Sequence, residues 1–198
     1  MTACIALEGP DGVGKSTAAT ALRGLLPRRP ASPYSAVRIR HFPTDALTAR
    51  ADREGRRPRA EDYALDMEDW LSSRPGPADA AERGTLYILD RWALSVEAYA
   101  SVRNEGIAES AALALDRLNR VPLATFVLLP RDPALLTDPD YGADNGTEDD
   151  YDPVAVTEAY LRVVERAPGS GTLVPVAVDG PGSAVADVVE RLTAMGAL

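Results

Sequence analysis

The stretch LEGPDGVGKST, residues 7 to 17, constrains the fold of this chain more than any other. Gly9 to Ser16 match the pattern G-x-x-x-x-G-K-[ST], in which glycines allow a tight turn whose backbone N–H groups point inward at a phosphate chain. This loop also contains the only lysine among the 21 Lys and Arg residues, Lys15. A planar guanidinium is larger than an ammonium and binds as a fork, so arginine is a poor substitute in a narrow loop. The lone lysine therefore indicates a working phosphate-binding loop.

The regions around this loop alternate between strand and helix patterns. Five short apolar or β-branched runs predict buried strands: Cys4–Leu7, Val37–His41, Leu86–Leu89, Ala124–Leu129 and Leu173–Val178. Helical patterns lie between and after them: Ser16–Leu26, Glu61–Ser73, Ala80–Arg83, Ser95–Val102, Ile107–Leu118, Val154–Arg166 and Gly182–Met195. This order predicts an α/β protein with a three-layer fold of the P-loop NTPase type, in which a parallel sheet of about five strands has helices on both faces. The length of 198 residues predicts a single domain over residues 1–198.

Composition excludes several classes of partner. The net charge of −9 and the isoelectric point near 4.7 argue against broad binding to nucleic acid or to anionic membranes. No apolar run reaches the length of about 18 residues that a membrane span needs, and the first residues lack the basic segment of a signal peptide. Cys4 is the only cysteine and cannot form an internal disulfide. We therefore expect a cytoplasmic protein that acts on a small molecule.

A second motif, DRWALSVEAYA at residues 90 to 100, follows the predicted strand Leu86–Leu89. An acid at the end of a buried strand, here Asp90, can bind the hydration shell of Mg²⁺ opposite the Ser16 hydroxyl. The adjacent arginine, Arg91, can bind a second anion close to a transferred phosphoryl group. The two motifs together predict a site that binds a nucleoside triphosphate, a magnesium ion and an anionic acceptor.

At these motifs the sequence resembles the thymidylate kinase family of nucleoside monophosphate kinases. Residues 8–17 are similar to the family pattern E-G-x-D-G/R-x-G-K-[ST]-T. The second family pattern, D-R-Y-x-x-S-x-x-A-Y, is matched with one exception, since Trp92 stands where the family has its first Tyr; the matching residues are Asp90, Arg91, Ser95, Ala98 and Tyr99. HFP at 41 to 43 and VAVDGPGSAVADVVERL near the end are also similar to family segments.

The resemblance implies an ATP- and Mg²⁺-dependent phosphotransferase of nucleotide biosynthesis. The residues implied for ATP are Gly9, Asp11, Gly12, Val13, Gly14, Lys15, Ser16 and Thr17. The residues implied for the acceptor are Asp11, Phe42, Leu65, Arg91, Ser95 and Tyr99. Lys15, Asp90 and Arg91 would be catalytic, and Ser16 and Asp90 would bind the metal. The family also implies a homodimer formed through the helices near Ser95–Val102 and Ile107–Leu118, whose apolar residues would equally serve the core of a monomer.

The sequence departs from the family where cations and a base-stacking ring are expected. On the third helix Leu65 stands in place of a Phe that stacks on thymine, and Asp69 in place of an Arg; Asp45 replaces another Arg. The position after the loop Asp, which carries an Arg in some members, is Gly12, and the lid region, about 137–152, is acidic. Arg131 and the arginine-rich stretch 50–59 are the candidates to supply a replacement cation.

Three functions remain open on the sequence alone. The first is a kinase of dTMP or of a related or modified pyrimidine deoxynucleotide, which forms a nucleoside diphosphate. The second is a kinase of an uncharged acceptor such as a nucleoside, because Asp45 and Asp69 would tolerate a hydroxyl better than a phosphate. The third is a nucleotide-binding protein without catalysis, whose loop is intact but whose lid has lost its cations.

Overall fold

The computed structural model describes residues 3–30, 32–41, 44–72, 84–137, 151–166, 173–180 and 182–198. Its strands are β1 (Ala3–Glu8), β2 (Ala36–His41), β3 (Thr85–Asp90), β4 (Ala124–Pro130) and β5 (Leu173–Val178). Its α-helices in this part of the chain are α1 (Lys15–Leu25), α2 (Thr44–Arg53), α3 (Ala60–Ser72), α4 (Ala93–Val102), α5 (Glu109–Asn119), α6 (Pro153–Arg166) and α7 (Ala184–Ala194). Two short 3₁₀ turns lie at Leu26–Arg28 and Pro133–Thr137.

The five strands form one parallel sheet in the order β2-β3-β1-β4-β5. β1 is the central strand, with Leu7 opposite Asp90 of β3 and Glu8 opposite Val127 of β4. In open α/β sheets ligands bind outside the carboxyl ends of the strands, where neighbouring connections diverge. The adjacent carboxyl ends of β1 and β3 form such a place, because the connection after β1 leads through α1 to β2 whereas the connection after β3 leads through α4 and α5 on the other face to β4.

The alternation of β1 side chains divides the core between the two faces of the sheet. Ile5 and Leu7 are fully buried against α1 and α7. Ala6 faces the other side, where α3, α4 and α5 pack over it, and α6 packs with α4 over β4 on the same side. The sheet therefore has helices on both faces, and the predicted fold class is confirmed.

One helix was absent from the sequence prediction. α2, Thr44–Arg53, includes the first part of the arginine-rich stretch, whose charges obscured the apolar pattern of the helix. Its buried residues Leu47 and Ala51 are each 1 % exposed. These residues lie one helical turn apart, so a face of only two apolar positions anchors the helix. The helix predicted from Ile107 begins at Glu109 instead, and the one predicted at Ala80–Arg83 lies outside the described residues. Within the described part of the chain, no helix is both long enough and apolar enough to cross a membrane.

Candidate active site

The loop between β1 and α1 depends on its glycines for shape. Gly9, Gly12 and Gly14 have φ angles of 136°, 79° and 94°, which L side chains rarely adopt. A Cβ atom on Gly9 would lie 2.2 Å from the carbonyl oxygen of Leu128 in β4, so this position also excludes a side chain by contact. Gly14 directly precedes α1, whose N-terminal end carries partial positive charge. The loop therefore offers an anion-binding helix terminus at the carboxyl edge of the sheet.

The Lys15 side chain lies folded inside the loop. It is only 6 % exposed, and its Nζ donates hydrogen bonds to the carbonyl oxygens of Gly9 and Pro10 at 2.9 and 2.7 Å. Burial lowers the pKa of Lys15 to about 8, an effect that the nearby carboxyl groups of Asp90 and Glu8 oppose. An ammonium held by these two carbonyl oxygens lies inside the loop, where it can bind an anion.

Ser16 and Asp90 meet next to Lys15. The Ser16 hydroxyl donates to Oδ2 of Asp90 at 2.8 Å, and Asp90 is almost fully buried. His41, at the end of β2, has its Nδ1 atom 3.6 Å from the same carboxylate oxygen. Hydroxyl and carboxylate oxygens are ligands that Mg²⁺ accepts, usually with several waters retained. The described residues contain no group of three or more His, Cys, Asp or Glu side chains that could enclose an ion, and a two-oxygen set fits magnesium in this hydrated form.

A second cluster lies beside the loop and consists of Asp11, Arg91 and Tyr99. One oxygen of the Asp11 carboxylate forms an ion pair with the Arg91 guanidinium. The other accepts a hydrogen bond from the Tyr99 hydroxyl at 2.7 Å. The guanidinium carbon of Arg91 also lies 5.6 Å from the centre of the Tyr99 ring, a cation–π distance. The side chains of Arg91 and Asp11 remain 43 % and 28 % exposed, so the Asp11–Arg91–Tyr99 cluster is open to a ligand.

A buried carboxyl group lies behind the phosphate-binding loop and the Asp11–Arg91–Tyr99 cluster, and the sequence analysis did not predict it as a site residue. Glu8, the last residue of β1, is 0 % exposed. Its Oε1 accepts backbone N–H bonds from Trp92, Leu94 and Ser95 at 2.9, 3.0 and 3.3 Å. Burial raises the pKa of Glu8 to about 7, although the hydrogen bonds from Ser95 act in the opposite direction. An acidic residue at the end of an apolar strand was the available signal, because buried carboxylates are rare unless hydrogen-bonded.

The remaining residues predicted for the site have varied positions. Ser95 donates its hydroxyl to Glu8 and lies 2.8 Å from the Tyr160 hydroxyl, Val13 belongs to the core, and Thr17 is exposed at the start of α1. Leu65 is 46 % exposed and lies off the face of α3 that packs inward through Ala60, Ala64 and Met67. Asp69 is exposed one turn later. Phe42 and most of the predicted lid, 138–150, lie outside the described residues.

Three of the arginines proposed as replacement cations contact carboxylates. Arg131 follows β4, and its Nε lies 2.8 Å from Oδ1 of Asp179, which follows β5. Both side chains are about two-thirds exposed at the same edge of the sheet as the loop. Arg50 contacts Asp66, and Arg56 contacts Asp62 and Glu54. Of these three arginines, Arg131 is therefore the one that follows a strand at the edge of the candidate site.

Two solved structures are similar to the chain over nearly its whole length. The thymidylate kinase from Candida albicans has 17 % sequence identity and a TM-score of 0.60, with 99 % of this chain and 93 % of that chain covered. The thymidylate kinase from Ehrlichia chaffeensis has 15 % identity and a TM-score of 0.62, with 96 % and 98 % covered. No protein-family model and no curated protein sequence matches the chain. At these identities the similarity establishes the fold.

Proposed function

We propose that this chain, which has the fold of the thymidylate kinases, is an ATP-dependent nucleoside monophosphate kinase. It would transfer the γ-phosphoryl group of ATP to dTMP or to a related or modified pyrimidine deoxynucleotide. The observation that carries the proposal is the placement of two different anion-binding groups side by side. Lys15 lies in the glycine loop, and Arg91 pairs with Asp11 of that same loop.

The loop supports the donor half of the proposal. Its glycine-dependent turn and the start of α1 suit the phosphates of ATP. Lys15 would bind the β- and γ-phosphates as a compact positive charge, and Ser16 and Asp90 would bind the hydrated magnesium ion. Magnesium bound there would neutralise charge on the phosphate oxygens. ATP would also give Lys15 a stronger partner than the carbonyl oxygens it now contacts.

The Asp11–Arg91–Tyr99 cluster supports the acceptor half. Arg91 would bind the acceptor monophosphate, and Asp11 would contact a sugar hydroxyl. Because the guanidinium is shared between Asp11 and the face of Tyr99, its direction is fixed before any ligand arrives. Such pre-organisation lowers the entropic cost of binding.

The reaction needs no covalent enzyme intermediate. An oxygen of the acceptor phosphate attacks the γ-phosphorus as the bond to the bridging oxygen breaks, so that ADP leaves and a nucleoside diphosphate forms. The protein aligns the two substrates, neutralises charge and excludes water. In the described site Lys15 and Arg91 are the cations next to the loop. Arg131 at the neighbouring strand end would be a third if a nucleotide displaced its contact with Asp179.

One observation favours a second candidate, a kinase of an uncharged acceptor. The positive charge of Arg91 is already matched by Asp11, and the expected arginine on α3 is the exposed Asp69. A nucleoside has no phosphate for Arg91 to bind, so it would need only Asp11, the residue proposed to contact a sugar hydroxyl. The two candidates differ in which acceptor drives ADP formation.

The test is ADP formation from ATP and Mg²⁺ with a panel of nucleoside monophosphates and the corresponding nucleosides. Lys15→Ala serves as the inactive control. Arg120→Ala serves as the matched control, because it removes a cation from an exposed pair with Asp116. We expect dTMP or a related monophosphate to give the fastest turnover, Lys15→Ala to lose at least about 10²–10³-fold, and Arg120→Ala to match the wild type. Turnover with nucleosides alone would establish the second candidate, and ATP binding without turnover on any acceptor would contradict both.

A homodimer and a cytoplasmic location remain predictions. Most of α4 is buried inside the chain, because Leu94, Val96 and Tyr99 belong to its own core. On α5, by contrast, Leu113 is 53 % exposed. Of the two helices predicted to form the dimer interface, α5 is therefore the one with a large apolar side chain exposed to solvent, that of Leu113.

A further inference from the structure

We propose that Glu8 is a positioning residue, which fixes the turn from which Arg91 reaches the acceptor. This inference rests on the proposed function for the role of Arg91. It concerns a residue that does not touch the substrates but acts through the backbone of residues 91–95. The structural part of the inference can be tested without any turnover.

α4 begins without a cap from its own residues. Trp92 occupies the N-cap position, and no side chain of the helix's own sequence caps its first turn. The free N–H groups of a first turn need acceptors. Oε1 of Glu8 accepts three of them, from Trp92, Leu94 and Ser95. A carboxyl group from the central strand therefore replaces the usual local cap.

The backbone at Arg91 has an unusual conformation. Its φ angle is 64°, in the left-handed region that a non-glycine residue adopts only at an energetic cost. The surrounding structure must impose such a conformation. The Arg91 N–H donates to the carbonyl oxygen of Leu7 at 3.0 Å, and the next N–H, that of Trp92, donates to Glu8 at 2.9 Å. Two consecutive residues of β1 thus hold two consecutive residues of the turn.

The turn at Arg91 also contacts the phosphate-binding loop. The Arg91 side chain leaves the turn toward Asp11, which lies three residues beyond Glu8 in the loop. Leu7, Glu8 and Asp11 therefore contact the Arg91 region at three points. If the contact from Glu8 is lost, the turn retains the bond from Leu7 but the start of α4 does not retain its acceptor. The direction of the guanidinium would then vary, while the phosphate-binding loop keeps its glycine-defined shape.

The second oxygen of Glu8 extends the same network to α6. Oε2 accepts the Ser95 hydroxyl, which is 2.8 Å from the Tyr160 hydroxyl. Tyr160 is fully buried on α6 and itself lies 3.5 Å from Oε2. The carboxyl group therefore fixes α4 against both β1 and α6. Glutamine in place of Glu8 would keep the oxygen that accepts the backbone N–H groups. Alanine would leave the N–H groups of Trp92 and Leu94 without this acceptor, whereas the Ser95 N–H would keep its second acceptor, the Trp92 carbonyl oxygen at 3.1 Å.

The experiment compares Glu8→Ala, Glu8→Gln and Glu8→Asp with Val188→Ala, a buried α7 substitution on the opposite face of the sheet that lowers stability only. Steady-state kinetics give KM for ATP and for the best acceptor separately.

Hydrogen exchange followed by mass spectrometry gives the exchange rates of the amides of residues 90–95 relative to those of α5. We expect Glu8→Ala to raise the acceptor KM by about tenfold or more and the ATP KM by less than about threefold. Exchange at residues 92 and 94 should accelerate at least about tenfold, with α5 unchanged.

The other variants separate positioning from general stability. Glu8→Gln should restore the acceptor KM to within about threefold of the wild type, because it keeps Oε1. Glu8→Asp shortens the side chain by one methylene and should also raise the acceptor KM more than the ATP KM, but by smaller factors. This variant provides the test if Glu8→Ala does not fold. Equal effects on both KM values, the same asymmetry in Val188→Ala, or Glu8→Gln as impaired as Glu8→Ala would overturn the proposal.

The exchange measurement keeps this inference distinct from the proposed function. If the wild type phosphorylates no acceptor, the proposed function fails, but residues 90–95 are still expected to open faster in Glu8→Ala and to stay protected in Glu8→Gln. Unchanged exchange in Glu8→Ala would overturn the positioning role even in a protein that is an active kinase.

Discussion

The phosphate-binding loop and the Asp11–Arg91–Tyr99 cluster lie side by side, but they are built differently. The loop owes its shape to backbone requirements, namely three glycines with positive φ and a close approach of Gly9 to Leu128. The cluster owes its shape to side-chain contacts between residues as far apart as Asp11 and Tyr99. A site whose shape depends on the backbone can be recognised from a short contiguous motif, whereas a site formed by side-chain contacts combines residues from distant positions in the sequence. We therefore expect a substitution at a loop glycine to cost more stability than the loss of one side-chain contact in the cluster.

The largest expected effect tests the backbone half of this comparison. Gly9→Ala should destabilise the protein by at least about 3 kcal/mol, because the new Cβ meets the Leu128 carbonyl and the φ angle is unfavourable for alanine. Gly24→Ala is the matched control: its Cβ meets nothing within 4 Å, and alanine within α1 should stabilise the protein by about 0.5–1 kcal/mol. Urea unfolding measures both. A Gly9→Ala protein of wild-type stability would show that the close approach is absent in solution.

The next effect concerns Glu8, which links the two halves. Its pKa is raised from 4.5 to about 7 in the folded state, so between these values the folded protein binds more protons than the unfolded chain. The contribution of Glu8 to stability is therefore greatest below about pH 4.5 and decreases as the pH rises to about 7. Relative to Glu8→Gln, the wild type should lose on the order of 3 kcal/mol across this window in urea titrations. A stability difference that does not change with pH would contradict the raised pKa.

A smaller effect is expected at Arg91, in the side-chain half. Arg91→Ala should raise the acceptor KM by about 10- to 100-fold, as expected for one charged hydrogen-bonding group, and leave the ATP KM within about threefold. Initial-rate kinetics with each substrate varied in turn provide the measurement. Equal changes in both KM values would show that the cluster and the loop are not separate binding sites.

The smallest effect is expected at Tyr99. Tyr99→Phe keeps the ring beneath the Arg91 guanidinium but removes the 2.7 Å hydrogen bond to Asp11. The loss of one such bond corresponds to about 0.5–1.5 kcal/mol, or an increase of about two- to twelvefold in the acceptor KM. An increase as large as that of Arg91→Ala would mean that the hydroxyl, and not the guanidinium, is the main acceptor contact.

The sequence allowed the sheet, most helices and the loop to be predicted because their signals are local. Apolar runs identified all five strands to within one residue at every end, and the glycine motif connects β1 to the start of α1 as expected. α2 was missed because only two buried apolar residues in 44–53, Leu47 and Ala51, carry the hydrophobic signal.

The role of Glu8 was not predictable for a different reason. Its partners Ser95 and Tyr160 are 87 and 152 positions away in the chain. Only the folded sheet brings β1, α4 and α6 together at one carboxyl group. Arg131 likewise was a candidate from sequence, but its pairing with Asp179 depends on the adjacency of β4 and β5. Long-range side-chain contacts of this kind leave no periodic pattern in a single sequence.

In the proposed function the loop binds a phosphoryl donor and the Asp11–Arg91–Tyr99 cluster binds a phosphate-bearing acceptor. The most direct test is the ratio of kcat/KM for dTMP to kcat/KM for thymidine, measured in the wild type at saturating ATP and Mg²⁺. We predict a ratio well above one, of about tenfold or more, because the charged hydrogen bonds from Arg91 are available only to the monophosphate. A ratio of one or below, with the nucleoside turned over at least as well, would contradict the claim and assign the site to an uncharged acceptor.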